Sequence, residues 1–315
     1  MNKDKIPSHH GYKEKKKGRF PNATMKLLVQ RASCRNFANK KIPKSVLDMI
    51  LETGTHAATG GNLQPYSIIK IETKEKREKL AKMCYQNFIA KAPVSLIFCI
   101  DWRRLQRWAE IEKAPFTATS SFRHFWISFQ DTIICAQNIC TAADSFGLGS
   151  VYIGTIMDLM REVREMFELP KGVLPVVLLC LGYPKSKPLV RRKLGREVIV
   201  HDEKYHEMSN GALKNAYGEK YHHAKIETTD ERLKRMREVC QKVHGKSFAD
   251  KCLYRIKQNG FINVAQRYFG LHYAADIMPD GNEDFIKTMK EFGFDWFERF
   301  KPKRYPNRYK IKEEK

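Results

Sequence analysis

The stretch HFWISFQDTIICAQNICTAADSFGLG, residues 124–149, constrains the fold more than any other part of the chain. It reads as one long helix on which Phe125, Phe129, Ile133, Ile139, Ala143 and Phe146 occupy most of the circumference. A helix apolar on so many sides must be buried on several of them, within a core or at a subunit interface. Its small residues Ala136, Ala142 and Ala143 permit close approach of neighbours. Around it, helical and strand patterns alternate over residues 25–184, an α+β or α/β arrangement. NATMKLLVQR predicts a short helix. IPKSVLDMILETGTHA predicts another, opened by Pro43 and stopped at Gly54. EKREKLAKMCYQNFIAKA and DLMREVREMFEL read as helices, and YSIIKIE, PVSLIFCID, SVYIG and VLPVVLLCLGYP as strands. Residues 102–124, rich in Arg and Trp, read as an irregular or mobile helical insertion whose arginines Arg103, Arg104 and Arg107 form a solvated face.

After His201 the chain turns polar and helical. Thr229 is the expected cap of DERLKRMREVCQKV and Ser247 that of FADKCLYRIKQ, with Gly260 and Gly293 as helix ends. The expected organisation is a disordered basic tail over 1–20, a main domain over 21–205 and a helical extension over 206–315.

With 315 residues, 42% of them hydrophobic, the chain can bury a sizeable core. Its apolar runs are too short to span a bilayer, and the N-terminal stretch lacks the apolar segment of a secretory signal. Eight scattered cysteines without a CxxC spacing read as reduced, buried thiols in a cytoplasmic protein. The net charge of +23 is concentrated in part at the ends, since residues 1–19 and 301–315 each carry seven basic and two acidic side chains. No zinc finger, basic zipper or RNP1-type aromatic string accompanies this charge, so a nucleic-acid partner is not expected.

Several chemistries are excluded by missing motifs: GxxxxGK[ST], HExxH and GxSxG are absent. Gly147, Gly149 and Gly154 have the wrong third spacing for a dinucleotide fingerprint, and the histidine pairs 9/10 and 222/223 lack the partners of a metal site. Four stretches carry positive signals. In RASCRNF, alternation along an extended chain puts Arg31, Ser33 and Arg35 on one face, a receptor suited to phosphate, with Ala32 and Cys34 opposite. In HAATGGNLQPY, two glycines allow backbone to approach a flat ligand, and the amides of Asn62 and Gln64 suit a ring edge with both donors and acceptors. GLGSVYIGT offers backbone N–H groups at a turn, and LVRRKLG is a further basic cluster.

Taken in order, R31-A-S-C-R35, T59-G-G-N-L-Q-P-Y66, Q86-N-F-I-A-K-A-P-V94, G147-L-G, Y152-I-G154 and L181-G-Y-P184 resemble the nitroreductase family over residues 25 to about 205. The resemblance implies an α+β fold with a mixed sheet surrounded by helices, in an intertwined homodimer with FMN at the subunit interface. Residues 21–205 would then be the FMN-binding domain. It implies an NAD(P)H-dependent oxidoreductase, NADPH or NADH serving as co-substrate and a small molecule as electron acceptor. Arg31, Ser33 and Arg35 would bind the phosphate and ribityl chain, Gln86 the pyrimidine edge, and Thr59, Gly60 and Asn62 the ring from the partner subunit. Tyr152, Ile153 and Gly154 would line the ring, with the Gly154 N–H near the reacting nitrogen and no side-chain acid or base. Arg192 and Lys193 would complete the phosphate site, Arg191 being the neighbouring candidate. The chain departs from many relatives at Ala58, Tyr66 and Ile153, where they carry Pro, Trp and an acidic residue. A specialised reductive dehalogenase or flavin-dependent dehydrogenase is the alternative enzyme, and a basic nucleic-acid or membrane binder the alternative from another class.

Overall fold

A computed structural model describes residues 20–298, which form two compact units. The basic tail expected over 1–20 lies, but for Phe20, outside the described residues. One unit comprises 30–189 and 284–298, the other 20–29 and 190–283. The last described segment, 284–298, belongs to the same unit as 30–189.

The helices in chain order are α1 (Ala23–Gln30), α2 (Lys44–Thr55), α3 (Lys74–Met83), α4 (Phe88–Lys91), α5 (Trp102–Ile111), α6 (Phe122–Ser145) and α7 (Met160–Phe167). There follow α8 (Arg196–Ile199), α9 (Asn210–Lys220), α10 (Asp230–His244), α11 (Lys246–Asn259), α12 (Val264–Arg267) and α13 (Asn282–Glu291). The strands are β1 (Tyr66–Ile71), β2 (Val94–Asp101), β3 (Gly149–Ile153) and β4 (Val173–Gly182), ordered β1-β2-β4-β3. All three strand pairs are antiparallel. The mixed character expected from the sequence enters through a single parallel bridge among the described residues, Ser33 to Ser150.

Every residue of β2 and β4 is buried, as their continuous apolar composition requires. Alternation sends Leu96, Phe98 and Ile100 into one core with α6 and α2, and Ile97 and Cys99 into a second core with Leu80, Val163 and Leu178. Pro175 stands inside the central strand because the β2–β4 register shifts beside it, between Phe98 and Cys99.

Four local expectations are corrected. Gly54 does not stop α2, which continues to Thr55; a Cβ there would lie 2.6 Å from Ile139 Cδ1, so the glycine lets α2 and α6 meet. The helix expected across residues 75–92 breaks at Tyr85, whose φ is 54°, into α3 and α4. Residues 102–111 form the regular helix α5, capped by the Asp101 carboxylate accepting from Arg104 N at 3.0 Å and anchored by buried Trp102 and Leu105. Helix α11 starts at Lys246 rather than behind Ser247, since Gly245, with φ 82°, supplies the turn from α10.

Other caps stand where the sequence puts them. Thr229 accepts from Arg232 N at 3.3 Å, and Gly260 and Gly293 take φ of 70° and 86°. Beyond α13, Phe292 and Phe294 are fully buried, Gly172 N donates to Phe292 O at 2.7 Å, and Arg161 grips Glu291 with two bonds of 2.7 and 3.0 Å.

Gly149 positions the segment that carries Arg31, Ser33 and Arg35. A Cβ at 149 would stand 2.4 Å from the Cβ of buried Cys34. Gly149→Ala is expected to destabilise the chain by about 1–3 kcal/mol through overpacking, seen as a lower urea midpoint with unchanged slope. An unchanged midpoint would show that the contact is slack.

Candidate functional site

The segment 31–35 docks in extended form beside β3. Cys34 N donates to Ser150 O at 2.9 Å, and the Cys34 side chain turns inward while Ser33 and Arg35 remain exposed. Arg31 is partly buried. Its Nη2 donates to Ser150 Oγ at 3.2 Å, its guanidinium carbon lies 5.8 Å from the centre of the Tyr152 ring, and its Nε is 3.9 Å from Asp144 Oδ2. Both atoms, Arg31 Nε and Asp144 Oδ2, are buried and make no hydrogen bond among the described residues. Burial pushes Asp144 up to about 6, against the pull of Arg31 in the other direction. Burial likewise raises the Tyr152 phenol above its ordinary range.

The break between α3 and α4 brings Gln86 to the same edge of the sheet. Its amide Nε2 donates to Thr155 Oγ1 at 3.2 Å, next to Gly154, and Arg35 lies 6.0 Å from the Phe88 ring centre. Arg31, Ser33, Arg35, Gln86 and the end of β3 thus form one neighbourhood, with cationic and amide groups around the Tyr152-Ile153-Gly154 backbone. Among the described residues, nothing beyond its chain neighbours lies within 4 Å of where a Cβ at Gly154 would stand.

The loop 59–64 is held elsewhere. Gly60 N donates to both oxygens of Asp131 at 3.1 Å, and a Cβ at Gly60 would be 2.8 Å from Ile127 Cγ2. That glycine is therefore required by packing on α6. Gly61, Asn62 and Gln64 take φ of 61°, 56° and 50°. The Gln64 amide faces its own loop, donating to Thr55 O at 2.7 Å, and Arg104 clamps the carbonyls of Gln64 and Tyr66 at 2.6 and 2.8 Å. Arg104 is thus a loop clamp on an otherwise exposed helix face that also carries exposed Arg103 and Arg107. Asp131 and Asp144 are thirteen residues apart on α6, about 20 Å along its axis, so within one chain the loop and the Arg31 neighbourhood are separate.

Arg192 and Lys193 belong to the other unit. Arg192 binds Glu219 through its carbonyl at 3.0 Å and its carboxylate at 2.6 Å, whereas Arg191 and Lys193 are exposed. His201 accepts from His206 N at 3.2 Å and lies 4.5 Å from the Tyr205 ring, a local cluster. All eight cysteines are free, seven of them buried, and burial pushes Cys84, Cys135 and Cys240 up to about 11, far from thiolate chemistry at neutral pH. Sequence reasoning missed Asp131, Asp144 and Ser150, and the loop contact of Arg104. The signal for the first two was a pair of carboxylates on an otherwise largely apolar helix, which demand partners.

Comparison with known proteins gives a consistent answer. The sequence profile of the nitroreductase family matches residues 28–183. The oxygen-insensitive NADPH nitroreductase of Salmonella typhimurium is 31% identical over 191 residues, 60% of this chain and 78% of that protein. The NADPH-flavin oxidoreductase of Vibrio harveyi is 32% identical over 189 residues, 60% and 77% of the two chains. Among solved structures, nitroreductase A from Vibrio parahaemolyticus superposes with a TM-score of 0.60 at 30% identity, covering 76% of this chain and 98% of that one.

Asp144 makes a signed prediction. A buried acid whose folded value lies near 6 and whose unfolded value lies near 3.8 binds its proton more tightly when folded, so stability falls as pH rises between the two. Between pH 4 and pH 7 the wild-type chain is expected to lose roughly 2–3 kcal/mol relative to Asp144→Asn, read from urea unfolding at both pH values. Parallel profiles would mean that Asp144 ionises normally.

Proposed function

The chain belongs to the nitroreductase family, and on that premise we propose that it is an FMN-dependent oxidoreductase. It takes reducing equivalents from NADPH or NADH and passes them to a nitroaromatic, quinone or flavin-type acceptor. The relatives, an NADPH nitroreductase and an NADPH-flavin oxidoreductase, support this reading.

The observation that carries it is the donor set at the β3 edge. A flavin phosphate needs forked cationic donors, and Arg31 presents a partly buried guanidinium whose Nε has no hydrogen-bond partner among the described residues, with exposed Ser33 and Arg35 beside it. A flat ring needs backbone without side-chain obstruction, and the space beside Gly154 is open. The residues fit the cofactor.

FMN, when bound, supplies the two-electron chemistry, accepting hydride from a nicotinamide and returning it to the acceptor. The protein's part is to hold and polarise. Arg31 and Ser33 take the phosphate, and Arg35 places positive charge toward the ribityl and pyrimidine end. Gln86, steadied by Thr155, meets the pyrimidine edge, and the Gly154 backbone N–H assists at the reacting nitrogen. No side-chain acid or base is assigned. Donor and acceptor occupy the same space in turn, which makes the kinetics ping-pong. Gln64 shapes the loop.

A homodimer completes the site. Loop 59–62 lies about 20 Å along α6 from the Arg31 neighbourhood, so Thr59, Gly60 and Asn62 reach the ring of the partner's site. The outer face of α6 supports this, since Trp126 and Ile134 are 53% and 42% exposed on a single chain. Among the described residues no helix is long and apolar enough to cross a membrane, and the free, buried thiols suit a cytoplasmic enzyme.

The purified protein is expected to show a flavin spectrum that bleaches with anaerobic NADPH or NADH. Arg31→Ala should weaken FMN binding about 10- to 100-fold, the loss of a charge-assisted contact, while leaving the weaker binding of riboflavin, which lacks the phosphate, nearly unchanged. A colourless chain that FMN cannot reconstitute would overturn the reading.

A further inference from the structure

The helical unit holds a second site unrelated to the first. Helices α10 and α11 form an antiparallel pair joined at Gly245, and toward the open end of the pair a cavity of about 460 Å³ lies between them. Leu233, Leu253 and Ile256 contribute apolar lining, and Lys234, Arg237 and Lys257 bring three cations to it. Helical spacing produces this pattern. On α10 the residues 233, 234 and 237 share one side, and on α11 the residues 253, 256 and 257 do the same. Only one of the three cations is neutralised: Arg237 pairs with Asp250 at 2.8 Å, while among the described residues no carboxylate pairs with Lys234 or Lys257.

An unpaired cationic rim over an apolar floor selects an occupant with a negative head and an apolar body. The volume is in the range of small-molecule sites, about 300–1,000 Å³. The chain's own ends do not complement it, because residues 1–19 and 301–315 are each strongly basic. We propose that this cavity binds a small amphipathic carboxylate, an acyl or aryl acid, with Lys234 and Lys257 on the carboxylate and Leu233, Leu253 and Ile256 around the apolar body. The site stands apart from the flavin chemistry and does not rest on it.

Titration calorimetry of the full-length chain as purified tests the assignment, with decanoate, butyrate and decyltrimethylammonium as probes. Decanoate is expected to saturate at one per chain, with butyrate and the decyl cation each binding at least tenfold more weakly. The double variant Lys234→Glu/Lys257→Glu should weaken decanoate at least tenfold. Leu253→Trp, which fills the floor, should abolish binding without changing the flavin content. Absence of saturable decanoate binding, equal binding of the decyl cation, or unchanged affinity in the charge-reversed variant would each overturn the proposal. The comparison between probes on the unaltered chain remains decisive even where a variant folds poorly.

Discussion

Two carboxylates on α6, Asp131 buried and Asp144 partly buried, sit against the two pieces of backbone on which the site is built. At one position Asp131 receives the Gly60 N–H on both of its oxygens, and near the C-terminal end Asp144 faces the Arg31 guanidinium across 3.9 Å. Both acids are raised by burial, so their ionised forms carry a desolvation cost that packing alone would avoid. Their placement is explained by what they hold. A helix is a rigid spacer of about 1.5 Å per residue, so the distance between loop 59–62 and Arg31 follows from the thirteen residues that separate the two acids.

Everything else at the site depends on that spacer lying flat on the sheet. Gly54 admits Ile139, which lets α2 close over α6. Gly149 admits Cys34, which lets the 31–35 segment lie against β3 and turn Ser33 and Arg35 outward. Cys140 Sγ and Ser150 Oγ, 3.0 Å apart, join α6 to β3, and the same Ser150 hydroxyl receives Arg31. The guanidinium is therefore oriented before any ligand arrives, and preorganised donors cost little to use.

Much of this was legible in the sequence. The alternation in RASCRNF put Cys34 inside and Ser33 and Arg35 outside, and the continuous apolar runs gave the two buried central strands. Less legible was anything decided by contacts between distant residues. Gly54 carries the local signature of a helix end, yet tertiary packing uses it as a crossing point. Gln64 has the chemistry of a ligand contact, yet its left-handed backbone points the amide at Thr55 O. Tyr85 gives no local warning that it will take a positive φ and break a helix, and that break is what brings Gln86 to Thr155. The return of 284–298 to the sheet unit buries Phe292 and Phe294 and brings Arg161 to Glu291, a pairing 130 residues apart that no local pattern records.

The central claim is that one flavin site draws Arg31 from one chain and loop 59–62 from its partner. Complementation between two defective chains tests it most directly. Arg31→Glu removes the phosphate half, and Gly61→Pro disrupts the loop half, since proline cannot adopt the φ of 61° found there. Each variant alone is expected to bind almost no flavin. Co-expressed and paired at random, they should recover about a quarter of the wild-type flavin per chain, because half of the dimers are mixed and each mixed dimer holds one intact site. Recovery near that level is the result this account predicts. No recovery, with mixed dimers demonstrably present, would contradict it and return the whole site to a single chain.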